Sequence, residues 1–167
     1  VNIVTKTLFK KYKTVYDYAN ANQPEFEQDI RSTGFYKNKA KNIIGMAQAL
    51  IQKYNGKVPA SMEELVTLPG IGRKTANVVL GSAFGTDVGI VVDTHVIRLS
   101  RLIGLSKNKN PEKIELDLMK IVPKNKWTIF SHLLILHGRS ICIARRPKCP
   151  ECPISIYCHF CKNNRSL

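Results

Sequence analysis

Apolar residues recur at intervals of three and four along nearly the whole chain, which is the spacing of one buried helix face. Four such residues predict a first helix: Val4, Leu8, Tyr12 and Val15. Pro24 and Gly34 bracket a short second helix, and a third ends at the pair Asn55-Gly56, which is typical of a helix C-terminus. The first third of the chain is therefore predicted to be helical.

Two further helices are predicted in the middle of the chain, joined by a glycine-containing turn. Ser61 and Glu64 have the spacing of a capping box, which predicts the start of a short fourth helix. Leu-Pro-Gly-Ile-Gly at 68–72 ends that helix, and the next is predicted from Arg73 to Phe84. The residues predicted to face inward from it are Ala76, Val79, Leu80 and Ala83.

The second half of the chain continues the helical pattern after a short apolar segment. Residues 88–92 are apolar and largely β-branched, but no partner strand is apparent, so we predict a buried connection. Helices are predicted near 94–103, 111–121 and 126–140. Beyond Ala144 the chain contains several prolines and no periodicity, so it needs something other than an apolar core to hold its shape. The pattern as a whole predicts an all-α protein.

Charge is the first indication of function. The chain has 26 Lys and Arg against 12 Asp and Glu, a net charge of +14 that is spread over both halves. Such a basic folded domain indicates a polyanionic partner, nucleic acid before membrane. The alternative is a lysine-rich surface without a specific partner. No apolar run approaches the ~20 residues needed to cross a bilayer, and no secretory signal is apparent, so we expect a cytoplasmic protein.

The cysteines are concentrated at the C-terminal end of the chain. All five follow residue 141, at Cys142, Cys149, Cys152, Cys158 and Cys161. An odd number in one segment favours a metal site over a disulfide framework. One grouping uses the first four thiols, and a rival grouping uses two CxxC pairs, as zinc sites do. The spacing alone leaves both groupings open.

The turn at 68–72 has the composition of an anion-binding site. Gly70 and Gly72 are predicted to adopt backbone angles that a Cβ would forbid, and they leave N–H groups bare at the start of the next helix. Arg73 and Lys74 follow directly, so a phosphate is the expected ligand. The turn resembles the helix-hairpin-helix motif, which binds the DNA backbone without base contacts. The alternative is an ordinary helix–helix turn with a glycine cap.

A carboxylate is predicted at the start of the helix near 94–103. Asp93 precedes Thr94 and His95, and aspartate is a favoured N-cap residue, with an effect of ~1 kcal/mol. Capping and a chemical role are compatible, because a cap fixes the position of the carboxylate.

These motifs together resemble the endonuclease III family, whose members are DNA glycosylases with apurinic/apyrimidinic lyase activity. The resemblance runs from Val1 to Cys161 and rests on residues 68–77, 92–95 and 136–139 and on the cysteines, in that order. It implies an all-α, two-lobed helix-hairpin-helix DNA glycosylase fold with a C-terminal iron–sulfur loop. The expected lobes are residues 1–86 and 87–161, followed by a tail at 162–167.

The resemblance also implies the chemistry. A lysine at the position of Lys74 attacks the sugar of a damaged nucleotide, and an aspartate at the position of Asp93 assists. The positive helix end and Arg73 both disfavour the ammonium form of Lys74, although without the resemblance this lysine would be assigned to phosphate contact. The expected substrates are oxidised pyrimidines or abasic sites in double-stranded DNA, and the strand is cut by β-elimination through a Schiff base.

The same resemblance assigns a 4Fe–4S cluster to Cys142, Cys149, Cys152 and Cys158, and leaves Cys161 as a spare thiol. The three cations that lie between the first two ligands are expected to meet DNA phosphates, with a solvated basic loop as the alternative: Arg145, Arg146 and Lys148. Phe35 occupies the place of the wedge that the family inserts into DNA, and its alternative is a core aromatic.

Several smaller expectations complete the analysis. His95 is expected to pack near or support Asp93, His137 and Arg139 to brace the cysteine segment, and Trp127 to lie in the core. We expect a monomer. The family normally begins with further helices before the position of Val1, so we expect an N-terminally truncated chain. The alternative functions are a catalytically impaired fragment and a non-catalytic DNA-binding module with four cysteines on a metal.

Overall fold

The computed structural model describes residues 2–163, and all its regular elements are helical. The helices up to residue 83 are α1 (Asn2–Lys11), α2 (Val15–Ala19), α3 (Gln23–Asp29), α4 (Tyr36–Tyr54), α5 (Met62–Leu65) and α6 (Arg73–Ala83). Those that follow are α7 (Thr94–Ile103), α8 (Pro111–Ile121), α9 (Trp127–Ser140) and α10 (His159–Asn163). Among the described residues the only extended pairing is an isolated bridge between Cys142 and Pro147. The all-α prediction is confirmed.

The chain divides into two compact units, Val1–Ala76 and Asn77–Leu167, so the division lies inside α6. The predicted lobe boundary after residue 86 stays a prediction. Of the predicted tail, residues 162 and 163 complete α10, and residues 164–167 lie outside the described part of the chain. None of the helices within residues 2–163 combines the length and the apolar character needed to cross a membrane.

The first unit is built on α4, against which α2 and α3 pack. Its core contains an aromatic group in which the Tyr12 ring lies 5.1 Å from Phe26 and 5.3 Å from Tyr18, measured between centroids. Phe26 is completely buried. The Gln48 side-chain amide of α4 donates to the Ala19 carbonyl at 3.1 Å, which ties α2 to the same helix.

One helix prediction in this unit is wrong. The apolar spacing from Val4 to Val15 predicts one helix, but α1 ends at Lys11 and α2 starts at Val15. The break is fixed by Thr14, whose side chain accepts from the Asp17 N–H while the Asp17 carboxylate accepts from the Thr14 N–H. This reciprocal cap satisfies N–H groups that a continuous helix would have bonded internally.

The second unit has its core between α7, α8 and α9. Completely buried members are Ile90, Val96, Leu99, Ile114 and Leu118, and Trp127 is 9% exposed, which confirms its core assignment. The predicted buried connection is also confirmed: Ile90, Val91 and Val92 are buried without strand pairing, and the Val91 N–H donates to the Ser131 hydroxyl at 2.9 Å.

Two details of this part of the chain differ from the predictions. Ala83 was expected to face inward but is exposed. The apolar spacing continues to the last residue of α6, whereas the buried face of the helix ends before it. The short helix α10 lies in the segment for which no periodicity was found, and it contacts α7.

Candidate functional site

The turn between α5 and α6 needs a glycine at position 70. Gly70 has a φ of +76°, in the left-handed region, and a Cβ placed there would lie 2.8 Å from the Asn42 Cβ of α4. Both the backbone angle and the close approach exclude a side chain, as predicted. Asn42 was not identified from the sequence, because only the fold brings it to this turn.

Gly72 differs, and the prediction of a special backbone angle is wrong for it. Its φ is not positive, and a Cβ at this position would meet no atom within 4 Å. Gly72 instead precedes α6, where its carbonyl accepts from the Ala76 N–H at 3.0 Å. The open space beside Gly72 allows a ligand to approach the first turn of α6, whose N–H groups have no partners within the helix.

The helix α4 carries the turn on one of its faces. In addition to the Asn42–Gly70 approach, a Cβ on Gly45 would lie 3.5 Å from the Pro69 ring, so α4 passes close to the turn at two positions. The N-terminal part of α4 and the α5–α6 turn are therefore held together within the first unit.

Phe35 precedes α4 and is 88% exposed, so the core interpretation is wrong. Its backbone has a φ of +49° and a ψ of +30°, a left-handed conformation that is uncommon for residues other than glycine and rare for bulky ones. Residues held in such strained conformations cluster at active sites and ligand-binding sites. The wedge role itself stays a prediction.

Lys39 holds the backbone on both sides of Phe35. Its Nζ donates to the Thr33 carbonyl at 2.7 Å, and its own N–H donates to the Phe35 carbonyl at 3.1 Å. Gly34, between these two carbonyls, has a φ of +68°. Sequence reasoning missed Lys39, since one lysine in a lysine-rich stretch gives no signal of a backbone contact.

Lys74 lies in the first turn of α6 and is exposed. No hydrogen bond or ion pair among the described residues involves its Nζ, so the amine is accessible to a ligand. Arg73, at the first position of the same helix, is also exposed. Lys74, the lysine that the resemblance assigns as the nucleophile, therefore lies two residues after Gly72, where the turn is open to a ligand.

Asp93 is the N-cap of α7, as predicted. Its Oδ1 accepts from the His95 N–H at 2.8 Å and from the Val96 N–H at 2.9 Å, which fixes the half-buried carboxylate at the positive end of the helix. The His95 ring packs against Gly138 of α9, with its Nδ1 3.4 Å from an Arg98 Nη atom. Among the hydrogen bonds of the described residues, His95 reaches the Asp93 carboxylate through its backbone N–H.

The five cysteines line one pocket in the second unit. All five are free thiols, and the pocket has an empty volume of about 330 Å³ that is partly open to solvent. Its walls are mostly apolar and include Leu102, Ile103, Ile141, Ile154 and Phe160. Among the described residues no group of three or more His, Cys, Asp or Glu is arranged so that it could hold a single metal ion. Thiolates around an apolar pocket are the donor set that an iron–sulfur cluster requires, and the residues fit that group.

Two polar side chains, Arg98 and His137, contact the cysteines that line the pocket. Arg98 donates to the Cys142 carbonyl and approaches the Cys142 Sγ at 3.6 Å, while its other Nη donates to the Gly138 carbonyl at 3.2 Å. The His137 carbonyl accepts from the Cys142 N–H at 2.8 Å, at the start of the cysteine segment, and the His137 Nε2 lies 3.6 Å from the Cys152 Sγ. Burial, with the nearby Arg98 charge, lowers the pKa of His137 and favours its neutral form. Within residues 2–163 no side-chain hydrogen bond or ion pair joins Arg139 to that segment.

The basic loop next to the pocket is closed by the pairing of Cys142 with Pro147 and by the Lys148 N–H, which donates to the Ile141 carbonyl at 3.0 Å. Arg145 and Arg146 are exposed at its tip. Lys148 lies at the base of the loop, with its Nζ 4.0 Å from the Glu151 carboxylate. Two of the three predicted cations therefore project from the loop itself.

Comparisons with known proteins agree with this geometry. Residues 1–124 match the family model of the HhH-GPD superfamily base excision DNA repair proteins. An endonuclease III from Synechocystis sp. is 50% identical over 158 residues, which are 95% of this chain and 72% of the relative. A solved non-covalent endonuclease III–DNA complex is 49% identical with a TM-score of 0.92, over 97% of this chain and 76% of the other.

A second solved structure has the same identity, coverage and TM-score, and it is a trapped endonuclease III–DNA covalent intermediate. These matches extend over both units, and they confirm the resemblance and the fold class inferred from the sequence. By the span of the family model and the identity to these relatives, the chain belongs to the endonuclease III family of the HhH-GPD superfamily.

Proposed function

We propose that this protein is a base-excision-repair DNA glycosylase with abasic-site lyase activity on double-stranded DNA. The observation that carries the proposal is the exposed Lys74 amine, one residue after Arg73 in the first turn of α6 and directly behind the open approach at Gly72. A similar protein forms a covalent intermediate with DNA, which is the product expected from a nucleophile on the enzyme.

Lys74 is the proposed nucleophile. Its neutral amine attacks C1′ of the damaged nucleotide, and the glycosidic bond breaks with its electron pair on the departing base, which takes up a proton. Opening of the sugar ring gives a Schiff base between Nζ and C1′. Loss of a C2′ proton then breaks the C3′–O bond, so the strand is cut on the 3′ side of the lesion with phosphate as the leaving group.

Asp93 is the proposed acid–base partner. A carboxylate held by two backbone N–H groups keeps its position, so it can stabilise a positively charged sugar or accept a proton. Asparagine at this position would still cap α7, because asparagine is as good an N-cap as aspartate. The chemical role and the structural role can therefore be separated by one substitution.

The DNA contacts follow from the exposed groups. The first turn of α6, reached past Gly72, is the proposed phosphate site, with Arg73 contributing charge. Phe35 is the proposed wedge, which fills the space left when the damaged nucleotide leaves the stack. Arg145 and Arg146 at the loop tip are proposed to meet further phosphates, with a smaller contribution from Lys148.

A 4Fe–4S cluster is the proposed cofactor, held by Cys142, Cys149, Cys152 and Cys158. When bound, such a cluster can exchange electrons, and its four iron–sulfur bonds also order a segment that has little core of its own. The residues around it keep the thiols in place: Arg98 through Cys142 and His137 through Cys152. None of the proposed steps at the sugar depends on the cluster.

The substrate class is proposed from the family: pyrimidines that are oxidised and whose ring has become saturated, together with abasic sites. Lesions of this kind stack and pair poorly, so their extrusion into a pocket requires less free energy than that of an intact base.

Borohydride trapping tests the proposal. The protein is incubated with duplex DNA that contains one abasic site, and a Schiff base is reduced to a stable amine that survives denaturing electrophoresis. We expect trapping by the wild type, none by Lys74→Gln, and unchanged trapping by Lys53→Gln, a matched exposed lysine on α4. Asp93→Asn is expected to slow removal of an oxidised pyrimidine strongly while the helical content stays unchanged.

The other outcomes identify the alternatives. Base removal without trapping means that water is the nucleophile, and trapping that persists in Lys74→Gln means that another amine is used. Binding of duplex DNA without base removal or trapping leaves a non-catalytic DNA-binding module.

A further inference from the structure

The fifth cysteine is not needed by the proposed cluster, yet it occupies the same pocket. Cys161 is only 8% exposed and lines the pocket together with the four assigned ligands. Burial, together with the neighbouring thiols of Cys149 and Cys158, raises the pKa of Cys161 to about 12. A spare thiol on the surface would need no explanation, but Cys161 is buried in the same pocket as the four proposed ligands.

We propose that Cys161 is a reserve ligand that can bind the cluster in place of Cys158. This inference rests on the proposed cofactor. In the exchange, one iron–sulfur bond to Cys158 breaks and one to Cys161 forms, and the proton of the Cys161 thiol passes to Cys158. No electron is gained or lost, so the exchange requires no oxidant or reductant.

Cys158 is the ligand that the structure allows to be replaced. Cys158 and Cys161 flank one short stretch at the start of α10, so an exchange requires movement of that stretch only. A displaced Cys158 thiol also has a partner, because its Sγ donates to the Leu102 carbonyl at 3.5 Å. Cys149 lies on a separate helical turn that also positions Cys152, so its replacement would disturb a second ligand.

Iron content of cysteine variants tests the inference without any measurement of activity. Four proteins are compared for iron per chain and for the visible absorbance of iron–thiolate bonds: wild type, Cys158→Ser, Cys158→Ser/Cys161→Ser, and Cys152→Ser as the matched control. Cys152 has no described contact with Cys161, so it should have no substitute. We expect Cys158→Ser to keep at least roughly half of the wild-type iron, and the other two variants to lose nearly all of it.

The remaining outcomes each have a definite meaning. An iron-free wild type contradicts the proposed cofactor. A loaded wild type with an iron-free Cys158→Ser contradicts the reserve ligand, and so does a double variant that keeps as much iron as the single one, because serine is then sufficient. If Cys158→Ser accumulates as insoluble protein, it is dissolved in denaturant and refolded with ferrous iron and sulfide beside the double variant. Equal iron in the two refolded proteins overturns the inference.

Discussion

Substitution by alanine should have different effects at the two glycines of the α5–α6 turn. In Gly70→Ala the alanine backbone must adopt a φ of +76°. Its Cβ would lie 2.8 Å from the Asn42 Cβ, an atom that cannot move aside as the flexible end of a side chain could. The left-handed conformation costs roughly 1–2 kcal/mol, and overpacking of this kind costs about as much again. We therefore expect Gly70→Ala to lower the free energy of unfolding by about 2–4 kcal/mol, which most folded domains survive.

Gly72→Ala should behave in the opposite way. Its φ is not positive and its Cβ would meet no atom within 4 Å. Alanine is a slightly poorer N-cap than glycine, which destabilises the folded protein, but it also makes the unfolded chain stiffer, which stabilises the folded protein. The free energy of unfolding should therefore change by less than about 0.5 kcal/mol. The methyl group would, however, stand where the proposed phosphate approaches α6. Loss of one charged hydrogen bond is worth ~1.5–3 kcal/mol, so affinity for duplex DNA should fall about tenfold or more.

Urea denaturation followed by circular dichroism measures the first effect, and fluorescence anisotropy with an undamaged duplex at constant salt measures the second. A Gly70→Ala variant as stable as the wild type would refute the close approach to Asn42. A Gly72→Ala variant that binds DNA normally would show that no phosphate meets the first turn of α6. If both variants lose stability equally, the distinction between the two glycines is wrong.

Three further substitutions test the proposed DNA contacts. Phe35→Ala should weaken binding to a duplex with an abasic site more than to an intact one, because a wedge acts only where a base has left the stack; equal losses would exclude that role. Lys39→Met should reduce the same preference at a cost of roughly 1 kcal/mol in unfolding free energy, as the bond to Thr33 is lost, whereas an unchanged preference would make Lys39 merely structural. Arg145→Gln/Arg146→Gln should reduce the slope of log affinity against log salt by ~1.8, and Lys148→Gln by less; an unchanged slope in the double variant places the loop in solvent.

The parts of the fold that sequence patterns predicted are those fixed by local interactions. α8 starts at Pro111 behind the Asn110 cap, and α4 ends where Asn55 takes a left-handed conformation, both as predicted. Capping is decided within a few residues, so its signal is present in the sequence itself. The same locality explains the failure near Thr14: apolar spacing continues through a break that two polar side chains create.

The site was predictable only where a motif carried it. Gly70, Asp93 and the cysteines have recognisable neighbours in sequence, whereas the residues that position them do not. Arg98 reaches Cys142 across 44 positions, and Asn42 meets Gly70 only because α4 passes the turn. An arginine or asparagine on a helix has no spacing that distinguishes such a contact from an exposed side chain.

Within the first unit, helix α4 links the proposed wedge, Phe35, to the turn that precedes the proposed phosphate site. Phe35 lies at the start of α4, and Asn42 contacts Gly70 seven residues later, a distance of about 10 Å along the helix axis. A helix of this length does not stretch, and Lys39 fixes the backbone at its start. A phosphate bound at the proposed site on α6 would therefore position the backbone of Phe35 at the same time. Free energy gained at the DNA backbone can then be used to separate bases, which requires a few kcal/mol, without a conformational change in this unit.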